Sequence, residues 1–227
     1  MVIPAFNERK CIRRVLGQVR AQVPGDILVV DDGSSDDTAE EARLSGAIVA
    51  VHPVNLGYGS ALQTGYRYAL RHGYDAVVQL DGDGQHDPAS IPALLEALSR
   101  ADVVVGSRFL DSGSYRPPLM RRIGIWLFAN VASLLCRQRV TDPTSGFQAI
   151  SRAALHFYAH ERYPADYPDA DVLAMVARSG LRLAEVPVHM LAPADGKSMH
   201  AGFLRPLYYV FRMTLALALV PLRSHKR

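Results

Sequence analysis

The chain has 227 residues, 49% hydrophobic and 21% charged, which is enough for one sizeable core and somewhat short for two full domains. A formal net charge of +3 is too small to argue for nucleic-acid binding. The two cysteines, Cys11 and Cys136, form neither a disulfide framework nor a metal spacing; as small buried hydrophobes they suit a reducing compartment.

Met1 leads directly into a short strand and Pro4, so no signal peptide is expected at this start, and the curtailed strand leaves room for a native start upstream. Cys11, Ile12, Val15, Leu16 and Val19 then recur at helical spacing. Ile27–Val30 has the β-branched character of a buried parallel strand, and Ser34 or Ser35 before Asp36 and Asp37 reads as a helix start. Ile48–Val51, Val77–Leu80 and Val103–Val105 are further strands, with a helix carried by Ile91, Leu94, Leu95 and Leu98 between the last two. Beyond Arg108 the alternation breaks down. A loop with Pro117, Pro118, Arg121 and Arg122 precedes the uncharged run Ile123–Cys136, a core or interfacial helix too short for the ~20 residues of a membrane span. Arg182–Val186 is a plausible late strand. Alternating strands and helices imply an α/β fold with a mostly parallel central sheet flanked by helices.

Ligands of open α/β sheets bind beyond the carboxyl ends of the strands. Three polar clusters fall there: Asp31-Asp32-Gly33-Ser34, Asp81-Gly82-Asp83-Gly84-Gln85, and Gly106-Ser107-Arg108. In the second, two carboxylates and a carboxamide alternate with glycines, a donor set suited to a hard cation such as Mg²⁺ or Mn²⁺. A Ca²⁺ loop of the EF-hand type is excluded, because His86 and Pro92 stand where it needs Gly and an acid. Taken alone, the cluster could also be a solvated turn. No dinucleotide fingerprint is present, since Leu62 occupies the final glycine position after Gly57-Tyr58-Gly59, and no P-loop exists. Phosphates would therefore fall to a metal.

The series Val2-Ile3-Pro4-Ala5-Phe6-Asn7-Glu8, Val29-Val30-Asp31-Asp32-Gly33-Ser34-Ser35-Asp36-Asp37-Thr38, Asn55-Leu56-Gly57, Asp81-Gly82-Asp83-Gly84-Gln85-His86 and Gly106-Ser107-Arg108 resembles family 2 glycosyltransferases. Asp142-Pro143-Thr144-Ser145-Gly146-Phe147 and Glu185-Val186-Pro187-Val188 narrow the likeness to the branch containing dolichyl-phosphate mannose synthase and its bacterial polyprenyl-phosphate relatives. The likeness runs in order from Val2 to about Met199. It implies a GT-A fold and inverting transfer from a UDP- or GDP-sugar. Carried over position by position, Pro4, Phe6, Glu8 and Asp32 line the nucleotide, while Asp81, Asp83 and Gln85 hold the metal and diphosphate. Phe6 stands where the family often has Tyr. Relatives usually carry an Arg shortly before Gly-x-Ser, which here is Leu191–Asp195 before Gly196-Lys197-Ser198, leaving Lys197 to supply that charge.

The acceptor decides what else is needed. A polyprenyl phosphate is largely dianionic at neutral pH and needs cations, for which Arg108, Arg121, Arg122 and Lys197 are candidates; the plainer readings are a surface ion pair for Arg108 and a solvated pair at a helix start for Arg121 and Arg122. A hydroxyl acceptor needs a base, for which Asp169 and Asp171 are placed, although helix capping also accounts for them. His86 reads as a residue behind the metal ligands. The expected organisation is a GT-A domain over 1–199 and a membrane-facing tail over 200–227, in which Arg205, Tyr208, Tyr209 and Arg212 suggest an interfacial helix and Arg223, Lys226 and Arg227 add attraction to anionic lipid. Docking of that helix on the core is the plainer alternative. A peripheral enzyme at the inner membrane face is the result, with a small membrane-protein partner to supply the span that the tail is too short to make. The rival classes are a non-catalytic nucleotide-binding protein and a metal-dependent phosphohydrolase.

Overall fold

The computed structural model describes residues 1–111, 119–160, 163–166, 168–191, 212–217, 219 and 220; the side chains of residues 119–123 and 160 lie outside the description. The expected alternation is present at the start: β1 (Val2–Ala5), α1 (Ile12–Arg20), β2 (Leu28–Asp31), α2 (Thr38–Leu44), β3 (Ile48–Val51), α3 (Tyr58–Arg71), β4 (Ala76–Gln79), α4 (Ile91–Ala97) and β5 (Val103–Ser107). Then come α5 (Leu119–Cys136), β6 (Gln148–Ser151), α6 (Arg152–His160), α7 (Ala170–Arg178) and β7 (Leu183–Pro187). The strands form one seven-stranded sheet in the order β3-β2-β1-β4-β6-β5-β7.

Side chains alternate across each strand, and the two faces of the sheet carry separate cores. Ile3, Val29, Val78 and Val104 face one way, against Ile12, Val15, Leu16 and Val19 of α1 and Ile91 and Leu94 of α4. Val2, Leu28, Val30, Val77, Val103 and Val105 face the other way, against α3, α5, α6 and α7. All of these are nearly or wholly buried, and a fully buried Leu, Ile or Val side chain stabilises the fold by about 1.5–3 kcal/mol. The helical spacing of α1 follows from this geometry, since its four apolar positions make one stripe against the sheet.

The sheet is mostly parallel, as expected, and one strand is the exception: β6 pairs antiparallel with both β4 and β5. Its reversal turns its amino end, and the loop of residues 142–147 before it, toward the carboxyl ends of the parallel strands. Ser34 and Ser35 do not cap α2; the cap position is Asp37, and neither serine serves the helix. Ser34 Oγ instead bonds the Asp31 carboxylate and accepts from Asn7 N at 2.9 Å, and Ser35 N donates to Asn7 Oδ1 at 2.9 Å. These bonds hold Asn7 in left-handed backbone, φ 58°, where Asn is among the better-tolerated residues.

Of the C-terminal tail, the described part is helical over residues 212–217. Met213, Leu217 and Val220 are buried in the α5–α7 side of the core, and Arg212 forms an ion pair with Asp166. This segment docks on the core, so core packing extends past residue 199 to Val220, while Leu215 and Leu219 face outward. Arg205, Tyr208, Tyr209 and the basic end lie outside the described residues. Among the described residues no helix is long and apolar enough to cross a membrane.

Candidate active site at the carboxyl edge of the sheet

Each strand-end cluster is tied to a second one distant in sequence. Asp32, 3% exposed, follows β2 and spends its carboxylate on the turn before α3. Oδ1 accepts from Leu56 N at 2.9 Å and pairs with His52 Nδ1 at 2.7 Å, and Oδ2 accepts from Gly57 N at 2.9 Å. His52 Nε2 lies 2.9 Å from Thr64 Oγ1 on α3. A buried carboxylate with three donors is well satisfied. Asp32 therefore shapes the loop before α3, and its carboxylate is turned to protein partners. Gly57 carries φ 100°, and a β-carbon there would meet the Ala165 carbonyl oxygen at 2.7 Å. The Ala165 oxygen accepts from Gly59 N at 2.7 Å and Ser60 N at 3.2 Å, satisfying the free amino end of α3.

At the end of β1, Phe6 is 47% exposed, whereas Pro4 is buried within the strand. Glu8 is partly buried, and its N–H donates to Thr38 Oγ1 at 2.8 Å. After β4, burial alternates residue by residue: Gly82, Gly84 and His86 are buried while Asp81, Asp83 and Gln85 are partly exposed. The three oxygen-bearing side chains are thus the accessible ones of the loop. Gln85 N and Nε2 donate to Asp83 at 2.9 and 2.5 Å. Burial and the neighbouring Asp81 carboxylate hold the Asp83 carboxyl above the ordinary carboxylate range. His86 stacks on Phe147 with ring centres 4.9 Å apart, and its Nδ1 accepts from Asp81 N at 3.1 Å. That bond leaves the ring proton on Nε2, 3.8 Å from Asp81 Oδ2, so His86 stands behind the acids.

Two crowded carboxylates and a carboxamide at an open edge fit a hard divalent cation. No set of three His, Cys, Asp or Glu side chains is gathered for a metal among the described residues. Mg²⁺ and Mn²⁺ commonly take one or two protein carboxylates and complete their shell with phosphate and water.

Arg108, at the end of β5, is held by Asp142, which is 0% exposed. Nε and Nη2 meet its two carboxylate oxygens at 2.6 Å each, and Nη2 also reaches Thr144 Oγ1 at 2.8 Å. The ion pair is buried and bidentate, not a surface pair. Glu185 on β7 in turn accepts from Thr141 N and Asp142 N at 2.9 Å, fixing the loop that carries Asp142. Burial raises the Glu185 carboxyl, and these N–H donors pull it back. Residues 106–108, 142–147 and 185–188 are thus one hydrogen-bonded unit.

Residues 1–159 match the family described as "Glycosyl transferase family 2". The chain belongs to this family. Undecaprenyl-phosphate mannosyltransferase of Micrococcus luteus is 34% identical over 88% of this chain and 86% of its own length. Polyprenol monophosphomannose synthase of Mycolicibacterium smegmatis is 31% identical over 89% of this chain and 80% of its own. Glucosyl-3-phosphoglycerate synthase from Mycobacterium tuberculosis, solved in complex with Mn²⁺, UDP and glucosyl-3-phosphoglycerate, superposes with a TM-score of 0.71 at 25% identity, over 96% of this chain and 77% of that one. The sheet with its reversed β6 is the GT-A arrangement of this glycosyltransferase family.

The other anticipated family 2 site residues are less fully placed. Asp169 is partly buried at the start of α7 with no side-chain capping bond, and Asp171 is 2% exposed in the first turn. Arg122 lies on α5 with its side chain outside the described residues, and Lys197 lies outside them altogether. The segment leading toward Lys197 is in view: Leu191 N donates to Gln85 O at 2.7 Å, and Met190 bridges to His86, so the chain leaves from the back of the acid loop. Residue-by-residue reading of the sequence missed Tyr58, whose hydroxyl donates to Asp81 Oδ1 at 2.7 Å. Burial and Asp81 push that phenol well above its usual value, so it stays a proton donor. Gly57-Tyr58-Gly59 drew attention only as a failed phosphate loop.

Proposed function

We propose that this family 2 enzyme moves a sugar from a UDP- or GDP-sugar to a polyprenyl phosphate at the cytoplasmic face of a membrane, with a divalent cation at Asp81, Asp83 and Gln85. The observation that carries the reading is the outward side of that acid loop, at the same sheet edge as Arg108. The relatives from M. luteus and M. smegmatis, named for polyprenyl-phosphate acceptors, support it. The exposed Trp126, Leu127 and Leu134 of α5 are compatible with peripheral contact to lipid.

In the reaction the exposed Phe6 ring offers a stacking face for the base, and Glu8 and the loop shaped by Asp32 bound the nucleotide. Bound there, the cation would neutralise charge developing on the diphosphate leaving group. Asp81, Asp83 and Gln85 would hold the cation, and Lys197 would contribute charge from the following segment. The acceptor phosphate attacks the anomeric carbon without needing a base, because it is already ionised. Arg108, pre-set by Asp142, and Arg122 would hold it in line. Asp169 and Asp171 have a task only with a hydroxyl acceptor, and the burial of Asp171 does not favour it for that role.

The deciding experiment is transfer of radiolabelled sugar to short-chain polyprenyl phosphate from UDP- and GDP-sugars, with Mg²⁺ or Mn²⁺ and with EDTA. A lipid-linked product that EDTA abolishes is expected. Product only with hydroxyl acceptors, or free sugar in the absence of lipid, would overturn the acceptor or the transferase reading respectively.

The raised Asp83 carboxyl gives a second expectation. A carboxyl raised on folding contributes stability below its unfolded value and loses it as pH rises through the folded one, so the ionised Asp81–Asp83 pair weakens the metal-free protein at neutral pH. Mn²⁺ binds the ionised form and should raise Tm at neutral pH. That rise should fade on acidification at a higher pH than an ordinary carboxylate would give. A Tm indifferent to Mn²⁺ from neutral pH downward would contradict it.

A further inference from the structure

Tyr58 is the first residue of α3, and the backbone on either side of it is held by a separate partner. The amide of the preceding Gly57 is bound by Asp32 Oδ2 at 2.9 Å, and Asp32 is itself braced by His52, which reaches Thr64 one turn and a half further along the same helix. The following residues, Gly59 and Ser60, donate to the Ala165 carbonyl. The ring therefore leaves a fixed point, and its hydroxyl lies between two partners: it donates to Asp81 Oδ1 at 2.7 Å and accepts from Gln79 Nε2 at 3.3 Å. Gln79 is oriented in turn by a bond from the Tyr66 hydroxyl to its Oε1, which leaves the amide nitrogen facing Tyr58. Gly146 closes the space from the other side, where a β-carbon would lie 2.7 Å from Tyr58 Oη and 3.3 and 3.4 Å from the two Asp81 oxygens.

From this geometry we infer that Tyr58 is a positioning residue for Asp81, locking one carboxylate oxygen so that the other is presented to the cation, and that the Asp32–His52–Thr64 chain serves the site by fixing Tyr58. The assignment rests on the metal-site reading of Asp81 above. It gives the buried Asp32 a task that its geometry supports: it couples the nucleotide-side loop to the acid loop through a single turn of backbone. An acid free to rotate would need to be reordered on each binding event, and removing such an outer partner of a ligand typically costs ~10–100-fold in metal affinity.

The test is Mn²⁺ titration of the full chain by calorimetry and by electron paramagnetic resonance of free Mn²⁺, in the presence of UDP and, separately, GDP. Tyr58→Phe, which removes one oxygen, is expected to weaken Mn²⁺ binding about tenfold or more while Tm in the absence of metal stays within a few degrees. Gly146→Ala, which pushes the hydroxyl off Asp81, should weaken it similarly. Tyr68→Phe, on the same helix but stacked on His72 with ring centres 3.8 Å apart, should bind Mn²⁺ as the unaltered chain does. Unaltered Mn²⁺ affinity in Tyr58→Phe would overturn the positioning role while leaving the metal site standing. Failure of the unaltered chain to bind Mn²⁺ with either nucleotide would remove the metal-site reading, and this assignment with it.

Discussion

Replacing Asp83 with alanine is expected to lower sugar transfer by about a thousandfold or more, because the cation proposed at this loop would stabilise the transition state by several kcal/mol through the leaving diphosphate. The structure makes this a clean experiment. Asp83 is partly exposed, and among the described residues its hydrogen bonds run to Gln85, two residues on in the same loop, so no distant described element depends on it. Its removal also ends the repulsion that raises its own carboxyl beside Asp81. The metal-free variant should therefore melt no lower than the unaltered chain, and Mn²⁺ should no longer raise its Tm. Measurement of turnover with labelled donor, beside thermal melts with and without Mn²⁺, separates lost chemistry from lost fold. Undiminished turnover would refute the metal assignment.

Asp142→Ala should give the largest loss of stability. The carboxylate is fully buried and is held by Arg108 through two 2.6 Å contacts and by Arg108 N at 3.1 Å. Truncating one partner of a buried ion pair strands the other charge at a cost of about 3–5 kcal/mol. For a chain of this size that corresponds to a fall in Tm of about 6–20 °C. The same change releases the Arg108 guanidinium, so weaker binding of the acceptor phosphate should accompany the loss. Urea denaturation checks the first effect, and acceptor KM at a temperature where the variant is folded checks the second. A shift under one kcal/mol would mean that the pair is solvated in a way its burial does not suggest.

Much of this arrangement was legible in the sequence where the signal is local. Short β-branched runs became β2 to β5 within a residue or so, and the apolar stripe of Ile12, Val15, Leu16 and Val19 became α1. The acid loop was recognisable because its chemistry is compressed into five consecutive positions. What escaped is non-local. Direction is invisible in a strand such as Gln148–Ser151, because side chains alternate identically whether it runs parallel or antiparallel. Tyr58 and Asp81, or His52 and Asp32, are joined only by folding, and nothing in their spacing predicts the contact. The serines after Asp32 carry a capping composition, yet Asp31 and Asn7 claim them, a case of tertiary partners outbidding local preference. In the tail, the same apolar residues that suit a lipid surface suit a protein core, and Met213, Leu217 and Val220 took the core.

The reversed strand β6 also governs the order in which the molecule can be assembled. It stands between β4 and β5, and β7 is attached only beyond β5. A nascent chain can therefore pair β3, β2, β1 and β4 from its first eighty or so residues, but β5 has no seat on that sheet until Gln148–Ser151 has left the ribosome. During that interval the flank of β4, with Val77 and Val78, is an open edge of the kind that recruits other chains. Products truncated before residue 151 should aggregate rather than persist as a stable half. Arrival of β6 closes that edge and brings residues 142–147 beside Arg108 and Asp81, while Glu185 of β7, which fixes the Asp142 loop, comes later still, so the candidate site is finished only when the last strand is seated.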